Sequence, residues 1–205
     1  ELEVLSAKRL TPCLSLVIEE TADYLFTLST SSRLDQKNQD QCYRAFLVLQ
    51  SASKIIVSEI ASTISRAFQH YWSPTADGET DLEDESPALS LVPLEEFEDT
   101  LAIEKIVTAG TERFWLELES IMLRLGSGLD IEPDAVELPV SPRTICSAYR
   151  QSLQNIDFPR AFLVDADSAF VRKLLPELAG IYRALNEYLA SLDLLPDIET
   201  ELKQT

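Results

Sequence analysis

The sequence predicts an all-α protein: a long antiparallel helical hairpin packed with three or four further helices, the two blocks separated by an acidic flexible linker. Three observations carry this expectation. Apolar residues recur at alternating steps of three and four through both blocks, the period of one helix face. Only five glycines occur among 205 residues, which argues against Rossmann units, P-loop proteins and β-barrels, folds that depend on many tight turns. Between the blocks, Ser73 to Glu104 holds no basic residue and eleven acidic ones.

The first helix is expected to start at Thr11 and Pro12, a capping hydroxyl followed by a proline at a position that needs no N–H. Leu14, Val17, Thr21, Leu25 and Leu28 then form one stripe, and the serines from Ser29 to Ser32 end it. Asp35 offers the next cap. From Gln36 to Trp72 neither Gly nor Pro interrupts Cys42, Phe46, Leu49, Ile56, Ile60, Ile64, Ala67 and Tyr71, so one helix of roughly 50 Å is predicted.

The stretch SPTADGETDLEDESP buries too little apolar surface to offset chain entropy and reads as a mobile acidic tether. Val92 and Pro93 open a third helix that continues to Leu125, with Glu95, Glu96 and Glu98 where the helix dipole favours negative charge. Gly110 marks either a break or a close helix crossing in it. Gly126, Ser127 and Gly128 stop that helix, and a loop runs through Pro133 and Pro139. Ser141 and Pro142 repeat the cap-plus-proline signal before the stripe Ile145, Tyr149, Leu153 and Ile156. Another helix begins after Pro159, and a final run ends at Pro196, with Pro176 inside it as a kink or a new start. The organisation is therefore a hairpin over 1–72, a linker over 73–90 and a second block over 91–205 that shares the hairpin's core.

A net charge of −18 opposes nucleic-acid phosphates and anionic lipid, and favours a basic protein partner. The plainer reading of that charge is a well-solvated surface. Cys13, Cys42 and Cys146 are odd in number and in no CxxC arrangement, which suits a reducing compartment and buried free thiols. In an antiparallel hairpin Cys13 would face the region of Lys54 and Cys42 that of Leu25, leaving the two thiols roughly 15–20 Å apart. No run approaches the ~20 uninterrupted apolar residues that span a bilayer, and ELEVLSAKRL has no signal-peptide core, so a cytoplasmic location is expected. The chain does not begin with Met, which leaves open whether the native protein is longer.

His70 is the single histidine, which argues against histidine-based catalysis and excludes a site with two histidine ligands. It sits in the cluster Phe68, His70, Tyr71 and Trp72 at the end of the long helix, where aromatic side chains either anchor a partner or close the core. Phe114 and Trp115 point roughly 100° apart on a helix, so Trp115 is a further candidate anchor. Asp77, Glu79, Asp81, Glu83, Asp84 and Glu85 form a candidate acidic docking segment, without the ligand order or central glycine of an EF-hand loop. Arg143, Arg150, Arg160, Arg172, Lys173 and Arg183 concentrate basic charge in the last third, a patch the tether would cover. No catalytic residue, cofactor or metal site is expected.

Four stretches carry a resemblance: ADYLFTLSTSSRLDQKNQDQCYRAFLVLQ, LSLVPLEEFEDTLAIEKIV, PVSPRTICSAYRQSL and LLPELAGIYRALNEYLASLDLLPDI. Together they resemble the amino-terminal part of a large proteobacterial family of unknown function whose long members are sometimes labelled thymidine phosphorylase. The resemblance implies a helical cytosolic bacterial protein, leaves open whether the chain is a piece of something longer, and transfers no catalytic residue. Phe158 to Ala169 departs from the family pattern in being short of charge. The phosphorylase label finds no Gly-rich phosphate cradle and no basic cluster to hold a phosphate.

The expected function is non-catalytic: a scaffold or regulatory module that docks a protein partner, or a second copy, through helical surfaces. An acidic nucleic-acid mimic is the second expectation, which DNA would displace from a shared basic partner. An enzyme or ligand-binding domain with an unrecognised site is the third, which a retained ligand would reveal.

Overall fold

The computed structural model describes residues 1–72, 94–129 and 137–203, with side chains described throughout these ranges except at 94–103 and 129. The chain is all-α. The described residues form α1 (Leu2–Ser29), α2 (Gln36–Trp72), α3 (Leu94–Arg113), α4 (Trp115–Leu129), α5 (Pro142–Gln154), α6 (Leu163–Ser191) and α7 (Ile198–Leu202), with a 3-10 turn at Arg160–Phe162 before α6. The acidic segment 77–85 and the loop around Pro133 lie outside the described residues.

Helices α1 and α2 pair along their length as the expected hairpin. Near the turn, the Cys42 thiol donates to the Leu25 carbonyl at 3.3 Å. At the far end, the Ser65 hydroxyl donates to the Glu3 carboxylate. Asp35 caps α2, its Oδ1 accepting the Asn38 amide at 2.8 Å. At 37 residues α2 spans about 55 Å, the longest rod of the molecule.

Pro12, expected to start a helix, lies inside one, as does Pro176, expected as a kink or a new start. Pro12 sits within α1, because Leu2, Ser6 and Leu10 extend the buried stripe upstream by more than two turns. Pro176 sits within α6, flanked by buried Leu174 and Leu178. An internal proline costs about 3 kcal/mol through a lost hydrogen bond and crowding of the carbonyl four residues earlier. Both prolines are exposed, as are Lys8 and Arg172, so water can take the carbonyls they leave free. Packing of the opposite face decides for helix.

Phe114 divides the third predicted helix into α3 and α4, although its amide still reaches the carbonyl of Gly110 at 3.2 Å. Gly110 is also the close crossing: a Cβ there would stand 2.5 Å from Leu175 Cδ2 of α6. Helix α4 passes through Gly126 and Gly128 and ends at Leu129, three residues beyond the predicted stop.

One core joins α1, α2, α4, α5 and α6, centred on Leu14, Ile18, Leu25, Ile56, Ile60, Phe170 and Leu185. Helix α6 is its central strut, touching every other helix of that core except α2, which meets α1 and α5 instead. Helix α3 stands apart from it. Val107 and Val171 form a small separate cluster with Ile106, Cys146 and Leu175, and through it α3 rests on α5 and α6. One stretch of α2 reaches a mean hydropathy of 1.3 and passes, by length and composition, as able to cross a bilayer. It carries Lys54 and Glu59, and its apolar residues Ile56 and Ile60 lie in the core shared with α1 and α5.

Candidate functional site

The aromatic cluster at the end of α2 divides between core and surface. Phe68 and Tyr71 are buried, so these two predicted anchors close the core instead, because the period that placed them beside Ile64 also turns them inward. Trp72 is half-buried, stacked on Phe68 at 6.0 Å and edge-on to Tyr71 at 5.6 Å. His70 is exposed in the last turn. Trp115 is 53% exposed while its neighbour Phe114 is buried against Tyr182, as adjacent helical positions require.

A second aromatic group escaped the sequence reading. Phe26 of α1 and Tyr43 of α2 are each 45% exposed beside the hairpin turn, and Leu47 is 44% exposed one turn further on. Phe46 lies between them, its ring 5.3 Å from Phe26 and 5.7 Å from Tyr43. The signal was present: Phe26 follows the buried Leu25, and Tyr43 the buried Cys42, so each falls off the core stripe while remaining large and apolar.

Three of the six residues of the predicted basic patch meet described carboxylates. Lys173 meets Glu20 at 3.2 Å, Arg143 meets Glu137 at 3.9 Å, and Arg150 meets Asp167 at 3.1 Å. The three cysteines are free. Cys42 is buried as expected, whereas Cys13 is half-buried, with the Glu177 charge of α6 acting on its thiol. Burial pushes the Cys13 and Cys42 thiols up to about 11, which makes them poor nucleophiles at neutral pH.

Under α3 lies a cavity of about 280 Å³. Val107 of α3 and Phe170 and Val171 of α6 supply apolar wall, and Phe170 stacks on Tyr149 of α5 with centroids 3.7 Å apart and planes 4° from parallel. Asp167, only 3% exposed, enters the same wall. Its two carboxylate oxygens and the Tyr149 hydroxyl are buried with no hydrogen-bond partner among the described residues. Arg150 Nε is close enough to Oδ2 for charge attraction but lacks hydrogen-bond alignment. Burial raises the Asp167 carboxyl to about 6, with Arg150 opposing. Burial, then the Asp167 charge, holds the Tyr149 phenol well above its ordinary range and lifts the Cys146 thiol to about 12. No group of three potential metal ligands occurs among the described residues.

A model of the amino-terminal domain of DUF1631, a family of proteins of unknown function, matches residues 2–193. The chain belongs to this family. The DUF1631 match runs from the start of α1 past the end of α6, so both the exposed aromatic face and the cavity lie within the DUF1631 domain, while α7 follows it. Comparison with curated proteins and with solved structures gives no match. The DUF1631 description assigns no activity, and the chemistry of the domain rests on the residues above.

Proposed function

We propose that this chain is a non-catalytic protein-interaction module whose docking surface is the aromatic face at the hairpin turn. The observation that carries the reading is the grouping of exposed Phe26, Tyr43 and Leu47 around Phe46 on two paired helices. Scattered apolar residues on a surface are ordinary, whereas a contiguous aromatic group on rigid elements is how interfaces concentrate their binding free energy. The helices hold these rings in place before any partner arrives, so little side-chain freedom is lost on docking. With a net charge of −18, the partner is a protein with an apolar helix face rimmed by basic residues, which the acidic surface steers into contact. The module works in the cytoplasm as a scaffold or regulator, and Trp115 and Trp72 serve as secondary contacts.

The test is affinity capture from native extract with the wild-type chain, a Phe26→Ser/Leu47→Ser double variant, and an Ile55→Ser control on a different face of α2. The reading expects one protein retained at high salt by wild type and control and lost by the double variant, with unchanged helix content. Equal capture by all three would overturn it, as would sedimentation showing that the double variant no longer folds as wild type does while a Phe26→Ala chain binds normally.

A further inference from the structure

The cavity beneath α3 presents an unmet chemical demand. A buried carboxylate offers about four acceptor positions, and leaving them without donors is unfavourable. Arg150 addresses Oδ2 of Asp167, and Oδ1 has no hydrogen-bond partner among the described residues. The Tyr149 hydroxyl, in the same wall, is equally without a partner. A carboxylate that needs donors and a phenol hydroxyl that can both accept and donate therefore share a lining in which apolar Phe170, Val171 and Val107 stand beside Glu104, Arg143, Ser147 and Arg150.

That combination selects a ligand by chemistry. An anion would meet the Asp167 charge in a poorly solvated place, and a neutral hydroxyl would supply one donor where several are needed. An ammonium supplies three donors and a complementary charge. At about 280 Å³ the space is at the lower limit of ligand cavities, so the occupant is fragment-sized.

We propose that the cavity between α3, α5 and α6 is a binding site for a small organic amine, its ammonium seated on Asp167 Oδ1 and the Tyr149 hydroxyl, its apolar body on Phe170 and Val171. The site is separate from the aromatic face at the hairpin turn and does not depend on that face binding a partner. The charged and titratable groups around it are Asp167 from α6, Glu104 from α3, and Arg143, Cys146, Tyr149 and Arg150 from α5. Protonation of Asp167, near 6, falls within pH 5 to 7.5 and would remove the ammonium's counter-charge.

The experiment titrates the full 205-residue chain with benzylamine, benzyl alcohol and benzoate, followed by calorimetry and by amide NMR shifts of α5 and α6. Benzylamine is expected to saturate one site with Kd on the order of 1 mM, as befits eight heavy atoms. Benzyl alcohol and benzoate are expected at least about tenfold weaker, a difference of roughly one charge-assisted hydrogen bond. Val107→Phe, which fills the space, and Asp167→Asn should each weaken benzylamine by about tenfold or more. Lowering the pH from 7.5 to 5 should weaken it in the wild type, because the amine stays charged while Asp167 takes a proton. Should Asp167→Asn not fold, this pH series decides in its place. Equal affinity for amine and alcohol, a flat pH series, or no saturable binding by any probe, as for a space holding water only, overturns the proposal.

Discussion

The guanidinium of Arg124 in α4 donates to the side-chain oxygen of Asn186 in α6, and Asn186 passes its own amide to the Glu117 carbonyl at 3.0 Å. Arg124 is 1% exposed, yet every direction of its fork is used. Nε reaches the Leu195 carbonyl at 3.4 Å, and Nη2 the Pro196 carbonyl at 3.3 Å. Nη1 also meets the Glu199 carboxylate at 3.2 Å. One buried cation thus ties α4, α6 and the turn into α7 together. Arg124→Met would leave Asn186 and two carbonyls without donors. We expect a loss of about 3 kcal/mol in urea unfolding, with Arg124→Lys recovering only part because an ammonium lacks the planar fork. A loss under about 1 kcal/mol would show that water replaces the arginine without cost.

The turn that Arg124 holds is itself strained. Asp193 and Leu195 adopt φ of 63° and 45°, the left-handed region that side chains with a Cβ resist by about 1–2 kcal/mol. Leu195→Gly should therefore leave stability unchanged or raise it by up to about 1 kcal/mol, since the side chain is partly exposed and its carbonyl remains for Arg124. Thermal unfolding at a single pH checks this, and a clear drop in Tm would mean that the Leu195 side chain packs more than its conformation costs.

At the crossing of α3 on α6, the missing Cβ of Gly110 is a packing choice. A methyl there meets Leu175 Cδ2 at 2.5 Å and Cδ1 at 3.0 Å, both at the far end of a half-buried flexible side chain. Gly110→Ala should fall within about 1 kcal/mol of wild type, the gain in helix propensity offsetting a rotamer shift at Leu175. Gly110→Leu cannot be absorbed that way and should cost about 1–3 kcal/mol by lifting α3. Paired urea titrations of the two variants distinguish a crowded crossing from a merely exposed glycine.

These particulars show where the sequence was legible. The α2 stripe from Cys42 to Tyr71, the Asp35 cap and the Ser141 cap, whose Oγ accepts the Thr144 amide at 3.0 Å, follow from local chemistry and stand as read. Pro12 misled because a proline's cost is local while the stripe that overrides it extends for several turns. Phe68 and Tyr71 were readable as aromatic, but whether an aromatic at a helix end anchors a partner or the core depends on what packs beside it. Asp167 gave no signal: nothing in DADSA shows that its second acid turns inward against Tyr149, three helices along the chain from the hairpin that completes the core.

Asp167 should make stability depend on pH in a direction opposite to that of a paired surface carboxylate. Burial raises its carboxyl from 3.8 to about 6 in the folded chain, with Arg150 only partly opposing. Between these values the native state holds a proton that the unfolded chain has released. Its contribution is therefore fully present below about 4 and is lost as the pH rises through about 6. At about 1.4 kcal/mol per pH unit, the difference amounts to something on the order of 3 kcal/mol. Asn at this position keeps the shape and removes the titration. Urea unfolding of wild type and Asp167→Asn at pH 4.5 and 7.5 isolates the effect, because every other carboxylate is common to both chains. The stability of the Asn variant relative to wild type should rise by roughly 2 kcal/mol from the lower to the higher pH. A constant gap would mean that Asp167 is ionised throughout, held by Arg150 more firmly than its burial allows.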